Sequence, residues 1–321
     1  MLKGGNQRQL NRWGYFFVAP FVVVFCIFFL WPTVYTFILS FTDLRGLRSN
    51  FNFIGLANFS RLVSDQIFLT AIKNTFIIAW STFVPQLLIA LILAVWLSDM
   101  HLKLRGKGIF RAVIFLPNLL TAASISVLFR NFFTYPNGFM SQLLYAIGLQ
   151  QTVVRDGQTI TQAFQFFRSE IFSRGLVSFI FWWMYYGSTN IILMAGITSI
   201  NPTLYESAIV DGANSRQTTW YITLPLLRPI MLYVFFTTMI GGMQAFDIPF
   251  LLTEPIGSPN NSILTMAMYV YNIGFRGNSD KAFAAAISIG IFALTIIMAL
   301  IIFFFLQDRS ELKKSPSQRI K

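Results

Sequence analysis

The sequence predicts an all-α, polytopic membrane protein with six transmembrane helices. Two observations carry that prediction. The 321 residues are 55% hydrophobic and only 11% charged, where a water-soluble domain carries about 25% charged residues. The apolar residues also gather into six runs without Asp, Glu, Lys, Arg or His, separated by segments that hold nearly all the charge. A bilayer core of about 30 Å needs about 20 helical residues, and the runs suit that length.

The expected spans cover residues 13–42, 74–98, 112–129, 175–200, 229–246 and 282–307, within a single domain over 1–321. The first follows Lys3, Arg8 and Arg12, as a signal peptide would. Its apolar length far exceeds a signal core of about 7–15 residues, so it is expected to be an uncleaved helix. The third and fifth are barely long enough. Two further uncharged stretches, 131–154 and 255–275, are rich in Pro, Gly, Asn and Gln. Unsatisfied polar groups are costly in lipid, so both are expected at the surface with short interfacial helices.

Lys and Arg counts set the orientation. With the N-terminus inside, 14 basic residues lie on inner segments and 10 on outer ones, including the inner clusters at 103–111 and 309–321. Six spans then place both termini and the segment 201–228 in the cytoplasm, with Ser310 inside and Gly157 outside. The net charge of +12 is expected to meet lipid headgroups. No basic stripe interleaved with aromatics argues for nucleic acid. A lone Cys26 and a lone His101 offer neither a disulfide nor a metal cluster, and His101 is expected in a solvated loop.

Within this apolar chain the segment 201–228, "NPTLYESAIVDGANSRQTTWYITLPLLR", is a polar island. Thr203 and Glu206 fit a capping box after Pro202. Gly212 suits a helix end, and a second short helix is expected over 215–223, stopped at Pro225. Ser207, Ala208, Gly212 and Ala213 make a small-residue patch beside Glu206 and Asp211. Such a patch serves either as an interfacial connector or as a docking surface, and a plain connection takes about 4–6 residues.

The pattern Glu206-Ser207-Ala208, then three residues, Gly212, nine residues, and Ile222-Thr223-Leu224-Pro225 resembles the cytoplasmic loop signature of ABC importer membrane subunits. That signature reads E-A-A, three residues, G, nine residues, I-x-L-P, and Ser207 keeps the small size of its second position. "APFVVVFCIFFLWPTVYTFILSFTD", "FIGLANF", "FRAVIFLPNLL", "QAFDIPFLLT", "NSILTMAMYVYNIGF" and "AFAAAISIGIF" resemble the carbohydrate branch, of the maltose, lactose and glycerol-phosphate type. The usual "TGGGP" after the fifth span is "TEPIGSP" here. The resemblance implies a permease in the cytoplasmic (inner) membrane of a bacterium or archaeon. Its implied partners are a second homologous permease subunit, two cytoplasmic ATPase subunits and an extracytoplasmic sugar-binding protein. Glu206, Ser207, Ala208, Asp211, Gly212, Ala213, Leu224 and Pro225 would form the coupling elbow. The implied substrate is a sugar or oligosaccharide, with a glycerol-phosphate ester as the alternative.

This chain contains no G-x-x-x-x-G-K-[ST] phosphate loop, so ATP and Mg belong to the partner subunits and no cofactor is expected here. The runs lack the intramembrane carboxylates of an ion-coupled carrier, and no nucleophile–base pair argues for an intramembrane enzyme. For the substrate path, Phe181, Tyr185 and Ser188 share one face of the fourth span. Thr238, Gly241, Gly242 and Ala245 share one face of the fifth. Rings stack on sugars and small residues leave space, yet a small-residue stripe is also how membrane helices pack.

Overall fold

The computed structural model describes residues 4–46, 50–98, 106–155, 158–253, 257–277 and 279–306. His101, Lys103, Arg105, Gly157, Ser310 and the basic C-terminal segment 309–321 lie outside the described residues. The chain divides into two compact units, Met1–Asp65 with Val270–Phe292, and Gln66–Tyr269 with Ala293–Lys321.

The first unit begins with α1 (Gly4–Phe25), a π turn (Cys26–Leu30) and α2 (Trp31–Leu39), which run on as one helix. The wide turn has a cause in the sequence. Trp31 bonds five residues back to the Cys26 carbonyl, and Pro32 follows; its ring would crowd the carbonyl four residues earlier in a regular helix. At the far end, buried Asn58 on α3 (Ala57–Ser64) donates its amide to the Ser40 and Thr42 carbonyls at 2.9 and 2.8 Å. Backbone oxygens left over where the helix stops are thereby satisfied.

In the second unit, α4 (Gln66–Ser98) starts eight residues before the apolar run at 74, and Asn74 and Thr75 within it are buried and bonded. The third run is not a straight span. It divides into α5 (Lys107–Phe115) with a 3-10 turn (Leu116–Leu119), and α6 (Ala122–Phe133), bent by 83°. Pro117 tightens the end of the first piece, Leu120 is extended, and Thr121 caps the second by accepting from the Ser124 amide at 3.2 Å. Among the described residues five helices are long and apolar enough to cross a membrane, or six when this bent pair counts as one.

The stretch after α6 holds α7 (Phe139–Ala146) and a hairpin that had not been expected, β1 (Gln151–Arg155) paired antiparallel with β2 (Gln158–Gln162). The signal was in the sequence: Asp-Gly stands between the paired ends Arg155 and Gln158. Helix α8 (Glu170–Thr198) follows, capped by Ser169. Then come α9 (Pro202–Val210), α10 (Ser215–Thr218), a second π turn (Thr219–Thr223), α11 (Leu224–Met243), α12 (Asp247–Leu252), α13 (Met266–Phe275) and α14 (Lys281–Leu306).

The expectation of a surface segment over 255–275 is corrected. Ile263, Leu264, Met266 and Met268 are buried, and the polar backbone there is satisfied by side chains. Asn74 donates to the carbonyls of Asn261 and Leu264 at 2.6 and 3.2 Å. Thr75 accepts from the Met266 amide at 3.0 Å, and Thr265 donates to the Ala245 carbonyl at 2.6 Å. Arg174 closes the group through the Ser262 carbonyl and Asn74 Oδ1, at 2.9 and 3.1 Å. Composition alone hid this, because each amide looked costly without its partner.

The centre of the second unit is the pair α4 and α8, its most extensive helix contact. Ile78, Ile125, Val177, Ile180, Met184, Ile248 and Ile263 cluster around it. Beyond the Arg174–Asn74 bond, further hydrogen bonds stitch it along its length. Ser81 meets Ser178 at 2.6 Å, Gln86 donates to Thr189 at 2.8 Å, and Asn190 donates to the Ala90 carbonyl at 2.9 Å. Helix α11 joins through Phe83 and Phe235, 4.6 Å between ring centroids.

Candidate coupling elbow and translocation face

The polar island folds as a helical elbow, built differently from the capping box expected at Thr203. Asn201 is the N-cap of α9 and accepts from the Thr203 amide at 3.1 Å. Pro202 occupies the first helical position and has no N–H, so the first free donor is Thr203 and Asn201 reaches it. Glu206 is thus released from capping. It is exposed and makes no hydrogen bond or ion pair among the described residues.

The helix ends as Gly212 suggested. The Ala213 amide bonds to the Ala208 carbonyl at 2.9 Å and the Gly212 amide to the Ile209 carbonyl at 3.0 Å, with Gly212 at φ +79°. This is the Schellman arrangement. A Cβ on Gly212 would meet nothing within 4 Å, so backbone conformation rather than crowding within the chain demands glycine. A capping box does exist, one element later. Asn214 and Gln217 exchange bonds of 2.9 Å in both directions, and the N-x-x-Q spacing could have revealed it.

Pro225 does not stop a short helix, contrary to expectation. Ser215–Met243 is one continuous helix. The π turn before Leu224, whose amide bonds back to Thr219, widens the helix so that the proline ring fits. Tyr205 and Thr223 join the two arms of the elbow through their hydroxyls, 3.1 Å apart. Behind them lies a cavity of about 200 Å³, lined by Val95, Ile197, Tyr205, Ile209, Ser215 and Thr223 among others.

On the outside of the elbow, Glu206, Ser207, Asp211, Gly212 and Pro225 are exposed. Ala208 is buried, and Ala213 and Leu224 are half-buried. Val210, at 86% exposure, and Tyr221, at 80%, stand out with Leu204, Ile209 and Trp220. Sequence reasoning missed these apolar residues because it sought small ones.

The substrate-path residues divide. On α8, Phe181 and Tyr185 stack with ring centroids 6.5 Å apart, Tyr185 is exposed, and Ser188 donates to the Tyr185 carbonyl at 2.8 Å. On α11, Gly241 is open and Thr238 half-buried. Gly242 instead packs on Ala79 of α4, where a Cβ would come within 2.8 Å, and Ala245 is buried. Gly242 therefore serves helix packing, while Ala245 is covered within the chain. Among the described residues no group of His, Cys, Asp or Glu could hold a metal ion.

No family model matches the chain. It is 31% identical over 309 residues to the lactose transport system permease protein LacF of Rhizobium radiobacter, covering 95% of this chain and 98% of the relative. It is 30% identical to the arabinooligosaccharides transport system permease protein AraP of Bacillus subtilis (89% and 86%). The same identity relates it to the sn-glycerol-3-phosphate transport system permease protein UgpA of Agrobacterium fabrum (92% and 94%). Its fold resembles a chain of a bacterial ABC transporter involved in import of the acidic polysaccharide alginate, with TM-score 0.74 at 23% identity over 97% of this chain and 99% of that one. A second alginate transporter structure, in complex with alginate pentasaccharide-bound periplasmic protein, gives 0.73 at 23% identity over 94% of each chain. With near-complete coverage at this identity, and an exposed elbow carrying the loop signature, the chain belongs to the family of sugar ABC-importer permease subunits.

Proposed function

We propose that this chain forms half of the translocation path of an ATP-driven importer for a sugar or oligosaccharide. A second permease subunit completes the path, an extracytoplasmic binding protein delivers substrate, and two cytoplasmic ATPase subunits carry ATP and Mg. Both termini and the elbow lie in the cytoplasm. The observation that carries the reading is the elbow's outer surface. Glu206 and Asp211 have no partner among the described residues and stand beside exposed Val210. Paired acids with an apolar anchor suit docking into a groove with basic rims. Phe181, Tyr185, Ser188, Thr238 and Gly241 line the path in this reading, with the Tyr185 ring for stacking.

The test is Gly212→Trp and Glu206→Lys in the complete complex. Any Cβ at φ +79° is strained, and a reversed charge would repel a basic rim. Both variants should insert normally yet weaken ATPase co-purification about tenfold, as a hot-spot loss of about 1.4 kcal/mol does. Hydrolysis should also lose its response to loaded binding protein. Normal association with normal stimulation in both variants would reduce the elbow to a connector.

A further inference from the structure

A second charged feature sits in the first unit, far in sequence from the elbow. Arg45, Arg61, Arg276, Asp280, Asn272 and Ile273 line an open cavity of about 490 Å³. Three guanidinium groups there face one carboxylate, and that carboxylate is already in use. Asp280 Oδ2 takes Arg61 at 2.8 Å and Arg45 at 3.4 Å, while Oδ1 accepts the Phe283 amide at 3.1 Å at the start of α14. Arg61 is held further by lying over the Phe283 ring, 3.7 Å from its centroid. Arg276 is left exposed with no ion pair among the described residues. The site carries a surplus of two positive charges.

The lining also selects the kind of occupant. Asn272 Oδ1, beside the cavity, is buried and has no hydrogen-bond partner among the described residues. Among the described residues no aromatic ring lines the cavity; the nearby Phe283 face is covered by Arg61, which removes the usual platform for a sugar. A protein surface presenting an acidic side chain supplies what the cluster lacks, a carboxylate for exposed Arg276. We propose that this cluster is where the extracytoplasmic binding protein docks an acidic residue, with Arg276 as the contact. The proposal rests on the import reading, since the loops after α2 and before α14 are then extracytoplasmic. Arg45 and Arg61 side chains are 60% and 48% exposed, so their field acts through water. Such rim charges govern capture rate and its salt dependence more than final affinity.

The experiment uses the complete importer in phosphatidylcholine nanodiscs and its purified cognate binding protein without sugar. Association kinetics are read at about 50 mM and about 300 mM salt, where the screening length falls from about 14 to about 6 Å. Arg276→Glu should slow association about tenfold at low salt, with the gap narrowing at high salt. Arg276→Lys should recover most of the rate, and Arg276→Gln should fall between. Unchanged association, or an equal loss at both salts, overturns the proposal. So does a loss seen only in discs containing phosphatidylglycerol, which would make a lipid headgroup the occupant, or only with an acidic sugar loaded. A wild-type complex that captures no binding protein overturns the import reading as well, whereas capture and transport that ignore all three Arg276 variants overturn the docking site alone. Should Arg276→Glu fail to assemble, Arg276→Gln and Arg45→Gln carry the same comparison.

Discussion

Helix α8 and the helical run Trp13–Leu39 differ in what surrounds them, and their compositions record it. The N-terminal run is the more apolar of the two, and its apolar stretch is nowhere buried within the chain, whereas half of the corresponding stretch of α8 is buried. A helix facing lipid or another subunit must be apolar all round, because no neighbour in its own chain satisfies a polar group. A helix wrapped by its own chain can carry Ser178, Thr189 and Asn190, since α4 supplies partners. In α8 the lower apolarity therefore reflects polar groups satisfied within the chain rather than a doubtful span.

The widest contrast is between two glycines. A Cβ on Gly187 of α8 would strike the Ile114 carbonyl and come within 3.0 Å of Phe115 Cα, both rigid backbone of α5. On Gly14 of α1 it would meet nothing within 4 Å. Gly187→Ala should cost about 3 kcal/mol or more by overpacking and sharply lower the yield of folded protein, while Gly14→Ala should be silent. Thermal unfolding in detergent measures both, and equal stability would erase the distinction between a packed and a bare helix.

A smaller effect sharpens the same comparison. Gln86→Leu and Asn190→Leu each remove one bond between α4 and α8, and such bonds in membranes are worth about 1 kcal/mol. The double variant should lose roughly the sum, since the two bonds share no atoms. Gains in stability from both would mean that α8 tolerates polarity without using it.

The smallest effect lies in the loop after α2. The Asn52 amide donates to Asp43 at 2.6 Å, with its side chain adding a second bond at 3.2 Å, and these bonds hold the Asp43 carboxyl below its ordinary value. A depressed pKa means that the contact is fully present above the ordinary carboxylate range and is lost as pH falls through the folded value. Amide exchange at Asn52 should accelerate below about pH 4 and become insensitive to pH in Asp43→Asn after correction for intrinsic rates. Identical profiles would remove the carboxylate from the loop's support.

Much of this was legible in one dimension. The apolar runs and the spacing from Glu206 through Gly212 to Pro225 located the spans and the elbow, because lipid and helix ends impose chemistry on every residue they touch. The bend at Leu120 and the buried 255–275 segment were not legible. Each depends on distant partners, such as Asn74 for the Leu264 carbonyl, and periodicity records only what a segment does alone. The prolines misled for a related reason: Pro225 reads as a stop unless the turn before it opens to admit the ring.

That opening has a mechanical consequence. Because the π turn lets Ser215–Met243 run unbroken for 29 residues, the elbow's second arm and the fifth span share one helix, with a contour of about 44 Å at 1.5 Å per residue. A loose joint would dissipate a displacement at the elbow within a turn or two. A continuous helix can act as a lever instead, and a tilt of about 10° about one end would carry the other through about 8 Å at that length.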